Sequence, residues 1–185
     1  MSGGLNFCSK EYEKEKSVLN MATVSGRLAQ FYINIGDLDK AEQELKKMEE
    51  ILKDEMQFLV SAKEKKIQLH EVEVKRQEIL YPVGKMEHRK AKINYRRYEL
   101  KRSEKKYLIE SAKHYTLSCA YMGYFSDDAF ATKKVLKEVT SIVSQLSAEE
   151  RKDFKNQVKK TQSEYGLEYF SEINKRIEDA EILSE

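Results

Sequence analysis

The chain has 185 residues, with seven glycines, one proline and 36% charged residues. Glycine and proline are rarer than in average proteins, which favours long helices over a turn-rich β fold. The 34 basic residues nearly balance the 32 acidic ones, which excludes the high net charge typical of disordered chains. We therefore expect a folded, all-α protein.

The low apolar content predicts an elongated shape with a thin core. Only 40% of the residues are hydrophobic, and we expect a single helical domain over 1–185. No stretch approaches the 18 consecutive apolar residues of a membrane span, and the first residues lack an apolar leader. We therefore expect a cytoplasmic protein without a membrane partner, in which Cys8 and Cys119 are reduced thiols.

The first predicted helix covers about 10–35. Its apolar residues recur largely at intervals of three and four positions, which places them on one helix face: Val18, Leu19, Ala22, Leu28, Ala29, Tyr32 and Ile35. Gly36 ends this helix, and Asp37 is a candidate N-cap for the next one.

The second predicted helix begins with an apolar seam and packs back on the first. The seam has the alternating spacing of a coiled coil: Leu38, Ala41, Leu45, Met48 and Leu52. Self-association of two copies through this seam is one hypothesis that the pattern supports.

A long antiparallel hairpin is predicted in the middle of the chain. Helix two continues to residue 80, and Pro82 with Gly84 then favours a reversal. A third helix runs back over 85–124, so that the segment 61–106 projects as an arm. Alternating β-branched residues around 67–74 leave a short strand open as an alternative.

Two further helices complete a five-helix bundle. Ser126, Asp127 and Asp128 precede the fourth helix, whose apolar stripe is regular: Phe130, Val135, Val139, Ile142 and Leu146. Ser147 and Glu150 have the spacing of a capping box that begins the fifth helix.

The turn between the first two helices resembles one tetratricopeptide repeat over about 22–55. The resemblance rests on the segments 28–32 and 36–41 and on Leu45, with Leu28, Tyr32, Gly36, Ala41 and Leu45 as the expected hairpin-packing residues. Met48 and Lys53 depart from the family pattern, which has a small residue and a proline near these positions. The resemblance implies a protein-binding helical scaffold.

A fainter second copy of this repeat falls at about 112–145. There Ser126 and Asp127 match Gly36 and Asp37, and Ala131 matches Ala41. No third repeat follows in tandem, although such units usually stack to bury their faces. The base of the molecule is therefore expected to contain two tetratricopeptide-like helix pairs.

Motifs for catalysis, metals and cofactors are missing from the sequence. No Glu-x-x-His pair suits a di-metal bundle, and the cysteines lack zinc spacing. Phosphate-binding loops, dinucleotide fingerprints and nucleophile elbows are also missing. We therefore expect no enzyme activity, no metal and no cofactor.

The segment 85–106 carries ten basic and three acidic residues, although the whole chain is nearly neutral. Three interpretations remain open: a solvated helix face, a docking surface for an acidic protein, and nucleic-acid binding through phosphate contacts. The expected partner-binding residues are basic and aromatic: Arg89, Tyr95, Arg96, Arg97, Tyr98, Lys101 and Arg102.

The sequence thus predicts a non-catalytic scaffold or adaptor that binds another protein. In one version of this hypothesis, the partner is a second copy of the chain. The alternative function is nucleic-acid binding through the basic helix 85–106. The pI of 8.3 lies below the value of about 9 that is typical of nucleic-acid-binding domains, which favours a protein partner.

Overall fold

The computed structural model describes residues 3–64, 69–123, 129–165 and 175, and these residues form helices without any strand. The all-α prediction is confirmed, with six helices rather than five among these described residues. Their bounds are α1 Gly3–Ile35, α2 Leu38–Glu64, α3 Leu69–Leu100, α4 Lys106–Gly123, α5 Ala129–Val143 and α6 Ala148–Tyr165.

The internal contacts divide the chain into two compact units, Met1–Pro82 and Val83–Glu185. The first unit contains α1, α2 and the start of α3. The second unit contains the rest of α3 together with α4, α5 and α6. The single domain over 1–185 stays a prediction.

A glycine turn joins α1 to α2, as predicted. Gly36 has a φ of 83°, in the left-handed region that glycine adopts without steric cost. Its amide donates to the Ile33 carbonyl at 3.2 Å, and the Asp37 amide donates to the Tyr32 carbonyl at 3.0 Å. These two bonds form a Schellman motif. The Asp37 side chain then caps α2 by accepting from the Lys40 amide at 3.2 Å.

The α1–α2 pair packs through small residues on α1 and the predicted seam on α2. On α1 the buried face consists of Ala22, Ser25, Gly26, Ala29 and Ile33. On α2, Ala41, Leu45, Met48 and Leu52 are each at most 1% exposed. The seam is thus buried within one chain, and the association of two copies through it stays a prediction.

The reversal predicted around Pro82 is wrong, because α3 continues through this residue. Proline in a helix interior lacks one hydrogen-bond donor and costs about 3 kcal/mol relative to alanine. Ile79, Val83 and Met86 are buried at intervals of four and three residues around it. Burial of this stripe offsets the local cost, so the segment 61–106 does not form a hairpin with its tip at the proline.

The chain instead reverses at residues 101–105, which interrupts the helix predicted over 85–124. The Lys101 amide donates to the Arg97 carbonyl at 3.0 Å, and the Glu104 amide donates to the Lys101 carbonyl at 2.9 Å. The connection contains neither glycine nor proline, so the usual turn signals are missing from it.

The structure describes helix two as far as Glu64, so its continuation to residue 80 stays a prediction. Residues 65–68 lie outside the described part of the chain. Residues 72–74, for which the sequence also allows a strand, are helical and belong to α3. The predicted cap at 126–128 likewise lies outside the described residues.

Within the second unit, the end of α3 lies antiparallel to α4. Ser118 Oγ donates to the Gly84 carbonyl at 2.8 Å, and Ser111 Oγ donates to the Ala91 carbonyl at 2.9 Å. The positions descend along α4 as they ascend along α3, as an antiparallel pair requires. Both serines are fully buried, and small residues at all four positions let the helices approach closely.

Helices α5 and α6 complete the second unit by packing against α4. The stripe predicted for the fourth helix is buried at Val135, Val139 and Ile142 in α5 and at Leu146 just after it. The capping box at the start of α6 is confirmed. The Ser147 amide donates to Glu150 Oε2 at 2.7 Å, and the Glu150 amide donates to Ser147 Oγ at 3.3 Å.

Leu45 tests the α1–α2 core most directly, because its side chain is 1% exposed. We expect Leu45→Ala to lower the free energy of unfolding by about 2–5 kcal/mol, since it leaves a cavity. The matched control is Leu100→Ala at a 78% exposed position, which should change stability by less than about 0.5 kcal/mol. Urea denaturation followed by circular dichroism measures both, and equal losses would contradict the packing described.

Candidate interaction surface

An exposed basic surface of the second unit surrounds the connection between α3 and α4. We call residues 96–106 the basic turn: the end of α3, the connecting residues and the first residue of α4. It contains six basic residues and two acidic ones. Arg96, Lys101 and Arg102, which the sequence singles out as partner-binding residues, are all exposed there.

The acidic residues of the basic turn pair locally with its cations. Glu99 accepts from Arg96 at 2.7 Å, and Glu104 lies 2.8 Å from Lys106 and 3.4 Å from Lys101. The hydrogen bond from Lys106 holds the pKa of Glu104 below its usual value. Such exposed pairs are weak, so the carboxylates of a partner are able to compete for these cations.

Leu100 belongs to the basic turn and is 78% exposed. It is the last residue of α3 and directly precedes Lys101 and Arg102. A large exposed aliphatic side chain between cations provides both an apolar contact and charge for a partner. Sequence reasoning missed Leu100, although the available signal was a leucine surrounded by charged neighbours.

The other predicted partner-binding residues are half-buried and do not all belong to the basic turn. Tyr95 and Tyr98 lie beside each other, with ring centroids 6.4 Å apart and tilted planes. Arg97 is half-buried, and Arg89 donates from Nη1 to the Lys85 carbonyl at 3.2 Å. Arg89 lies two helical turns before Arg96, about 10 Å along the axis. The structure therefore does not bring the full predicted set together.

The predicted hairpin-packing residues have mixed positions. Gly36 forms the turn, and Ala41 and Leu45 are buried. Tyr32 is half-buried, with Lys40 Nζ 5.6 Å from its ring centroid. Leu28, by contrast, is 42% exposed because α1 turns Ala29 toward α2 instead.

A capping contact fixes the basic turn to α6. Lys105 Nζ lies 3.2 Å from Glu150 Oε2, the same oxygen that accepts from the Ser147 amide. The hydrogen bonds from Ser147 and then Lys105 lower the pKa of Glu150, which therefore remains a carboxylate. The start of α6 thus supports one side of the basic turn.

A buried polar network behind the basic turn was not foreseen from the sequence. Glu87 is 6% exposed, and its Oε2 accepts from His114 Nδ1 at 2.6 Å while Lys90 lies 3.3 Å from Oε1. Burial acts to raise the pKa of Glu87, but His114 and Lys90 outweigh it, so the pKa lies below its usual value. The carboxylate is thus a structural link between α3 and α4.

The sequence does contain a signal for this network. Glu87 lies four residues after Val83 and four before Ala91, on the buried stripe of α3. The helical spacing of Glu110 and His114 suggests only a surface pair, and their closest atoms are 3.8 Å apart. The shorter bond of His114 is to Glu87.

A second imidazole–carboxylate pair joins α3 to α5. His88 Nε2 lies 3.3 Å from Glu138 Oε2, and the His88 ring meets the Tyr115 ring edge-on at 5.5 Å. Burial lowers the pKa of His88, and it raises the pKa of Tyr115 well above its usual value. Both side chains are therefore neutral at physiological pH.

The second unit also contains a buried thiol. Cys119 is fully buried, and burial raises its pKa far above the usual value, so it is a thiol rather than a thiolate.

Among the described residues, no cluster of three or more His, Cys, Asp or Glu side chains has a metal-binding arrangement. Within the same residues, no helix combines the length and apolar character needed to cross a lipid bilayer.

Comparison with known proteins gave no relative of this chain. No family model matches it, and neither the curated proteins nor the solved structures contain a significant match. The α1–α2 and α4–α5 pairs are compatible with helical-hairpin repeats by their packing.

Protonation of His88 and of Glu87 should destabilise the fold as the pH falls, with Glu87 acting at lower pH than His88. The lowered pKa of His88 means that protons bind the unfolded chain more tightly, so stability falls as the pH drops through 6.5. Glu87 has the lowered pKa of a paired carboxylate. Its contribution to the free energy of unfolding is fully present above pH 4.5, the pKa of glutamate in an unfolded chain. That contribution is lost as the pH falls through the lower pKa of Glu87 in the folded protein.

We therefore expect His88→Gln to flatten the decline in stability as the pH falls below 6.5. Glu87→Gln should flatten the decline at lower pH, beyond its direct cost in stability. Urea midpoints across pH measure both effects. Wild type and variants with parallel pH profiles would show that these pairs do not control acid sensitivity.

Proposed function

We propose that the protein is a non-catalytic scaffold or adaptor that binds acidic segments of other proteins through the basic turn. The observation that carries the proposal is Leu100, which is 78% exposed among Arg96, Lys101 and Arg102. An apolar side chain surrounded by cations suits a peptide that presents both carboxylates and an aliphatic residue.

Preorganisation of the basic turn supports this function. The turn is joined to α6 by the pair between Lys105 and Glu150, and behind it Ser111 connects α4 to the Ala91 carbonyl. A connection held in this way loses little conformational freedom on binding, so more of the contact energy contributes to affinity.

The helix pairs α1–α2 and α4–α5 suit a scaffold of tetratricopeptide-like hairpins. In the first pair, the left-handed Gly36, buried Ala41 and buried Leu45 correspond to positions on which the resemblance rests. In the second, Val135 and Ile142 are buried seven residues apart, as Leu45 and Leu52 are in the first. Assignment to this repeat type is part of the proposal.

Nucleic-acid binding through the segment 85–106 is the alternative function. The surplus of basic residues supports it. Two observations favour a protein partner instead. Tyr95 and Tyr98 are half-buried rather than fully presented for base stacking, and Leu100 adds an exposed aliphatic side chain that does not bind phosphate.

Fluorescence anisotropy with defined probes tests the proposal. The probes are an acidic peptide with a central leucine, the same peptide with serine in its place, and mixed-sequence single-stranded DNA and RNA of equal charge. We expect the leucine peptide to bind best. Leu100→Ala should weaken that binding by about tenfold and leave any nucleic-acid binding unchanged.

Charge variants provide the matched control. Arg96→Gln, Lys101→Gln and Arg102→Gln together should abolish peptide binding. Lys46→Gln, Lys53→Gln and Lys137→Gln remove the same charge from other exposed positions and should have little effect. Equal losses in both triple variants, or preferred binding of DNA or RNA, would overturn the proposal.

A further inference from the structure

Helix α1 exposes a second apolar face that the α1–α2 packing does not use. Five large side chains are between 42% and 59% exposed: Met21, Val24, Leu28, Phe31 and Ile35. Their positions differ by three, four, three and four residues, which is the spacing of a heptad seam. We call this set the α1 stripe.

The α1 stripe is distinct from the face that contacts α2. That face consists mostly of small residues; it includes Ala22 and Ala29, together with the larger Ile33, and these three are at most 6% exposed. Each of the first two is followed two residues later by a stripe residue, Val24 or Phe31. Helix α1 therefore has two apolar faces, and the exposed face carries the larger side chains.

The size of the stripe suits an interface between proteins. Five large side chains with about half of their area exposed amount to an apolar surface on the order of 500 Å² per copy. A stable interface buries about 800 Å² per partner, and the residues flanking the stripe supply the remainder.

The scarcity of charge around the stripe favours a second copy of this chain as its occupant. Its flanking positions carry a single charge, on Arg27, and are otherwise uncharged: Asn20, Ser25, Tyr32 and Asn34. Near its end, Lys40 is neutralised by Asp37 at 2.9 Å. Two identical surfaces thus meet without strong repulsion, and no surplus charge selects a strongly acidic or basic partner.

We propose that the α1 stripe binds the α1 stripe of a second copy of this chain, forming a two-stranded helical dimer. Identical heptad seams are self-complementary, so the same side chains fill both sides of a two-fold interface. This dimer uses a different surface from the basic turn and stands or falls separately from it. It also differs from association through the α2 seam, which is buried within one chain.

Size-exclusion chromatography with light scattering over a range of concentrations tests the dimer. We expect a mass of twice 21.7 kDa at high concentration and a monomer on dilution. Association should persist or strengthen at high salt because it is apolar. A monomer at every concentration, or a dimer that dissociates as salt rises, would overturn the proposal.

Paired variants locate the interface. Leu28→Lys places a charge in the centre of the stripe and should raise the dimer dissociation constant by more than tenfold. The control, Thr23→Lys, adds the same charge at an exposed position outside the stripe and should leave dissociation unchanged. Circular dichroism at a dilution where all forms are monomeric checks that both variants fold. Equal dimerisation of the two folded variants would contradict the assigned face.

The same variants separate this proposal from the function of the basic turn. Leu28→Lys should leave binding of the acidic peptide to the folded monomer intact, while Leu100→Ala should leave the dimer intact. Loss of dimerisation in Leu100→Ala would assign self-association to the basic turn and overturn the role of the α1 stripe.

Discussion

The antiparallel pairing of α3 with α4 is the constraint on which the basic turn depends. Two buried serine hydroxyls donate to carbonyls of α3, and Glu87 meets His114 at 2.6 Å between them. A buried hydroxyl or carboxylate without its partner would cost several kcal/mol, so these contacts strongly favour one register. That register places Lys101 and Arg102 at the end of the hairpin, where they are exposed.

Two surfaces of different character follow from this architecture, and each belongs to its own unit. The basic turn combines charge with one exposed leucine, a composition suited to reversible binding that depends on salt. The α1 stripe is apolar and nearly uncharged, which suits a more persistent contact. A scaffold that uses the second surface to pair with itself would display two basic turns and would gain avidity for a partner with repeated acidic segments.

Local signals in the sequence predicted the parts of the fold that local chemistry determines. Gly36 forms its turn through its own backbone conformation. Ser147 and Glu150 bond to backbone amides only three residues away. Pro82 misled because burial along α3 outweighs its local cost. The reversal at 101–105 and the link from Glu87 to His114 depend on contacts between separate helices, which periodicity does not report.

The distance between two spin labels, at Lys92→Cys and Glu110→Cys, tests the hairpin reversal at residues 101–105 most directly. Cys8→Ser removes one native labelling site, and Cys119 stays in place because it is buried. The α3–α4 pairing places these positions across adjacent helices, whose axes are about 10 Å apart. A single helix over 85–124 would separate them by about 27 Å. Electron paramagnetic resonance should give the short distance, and a sharp distribution near the long one would contradict the hairpin and the basic turn that it forms.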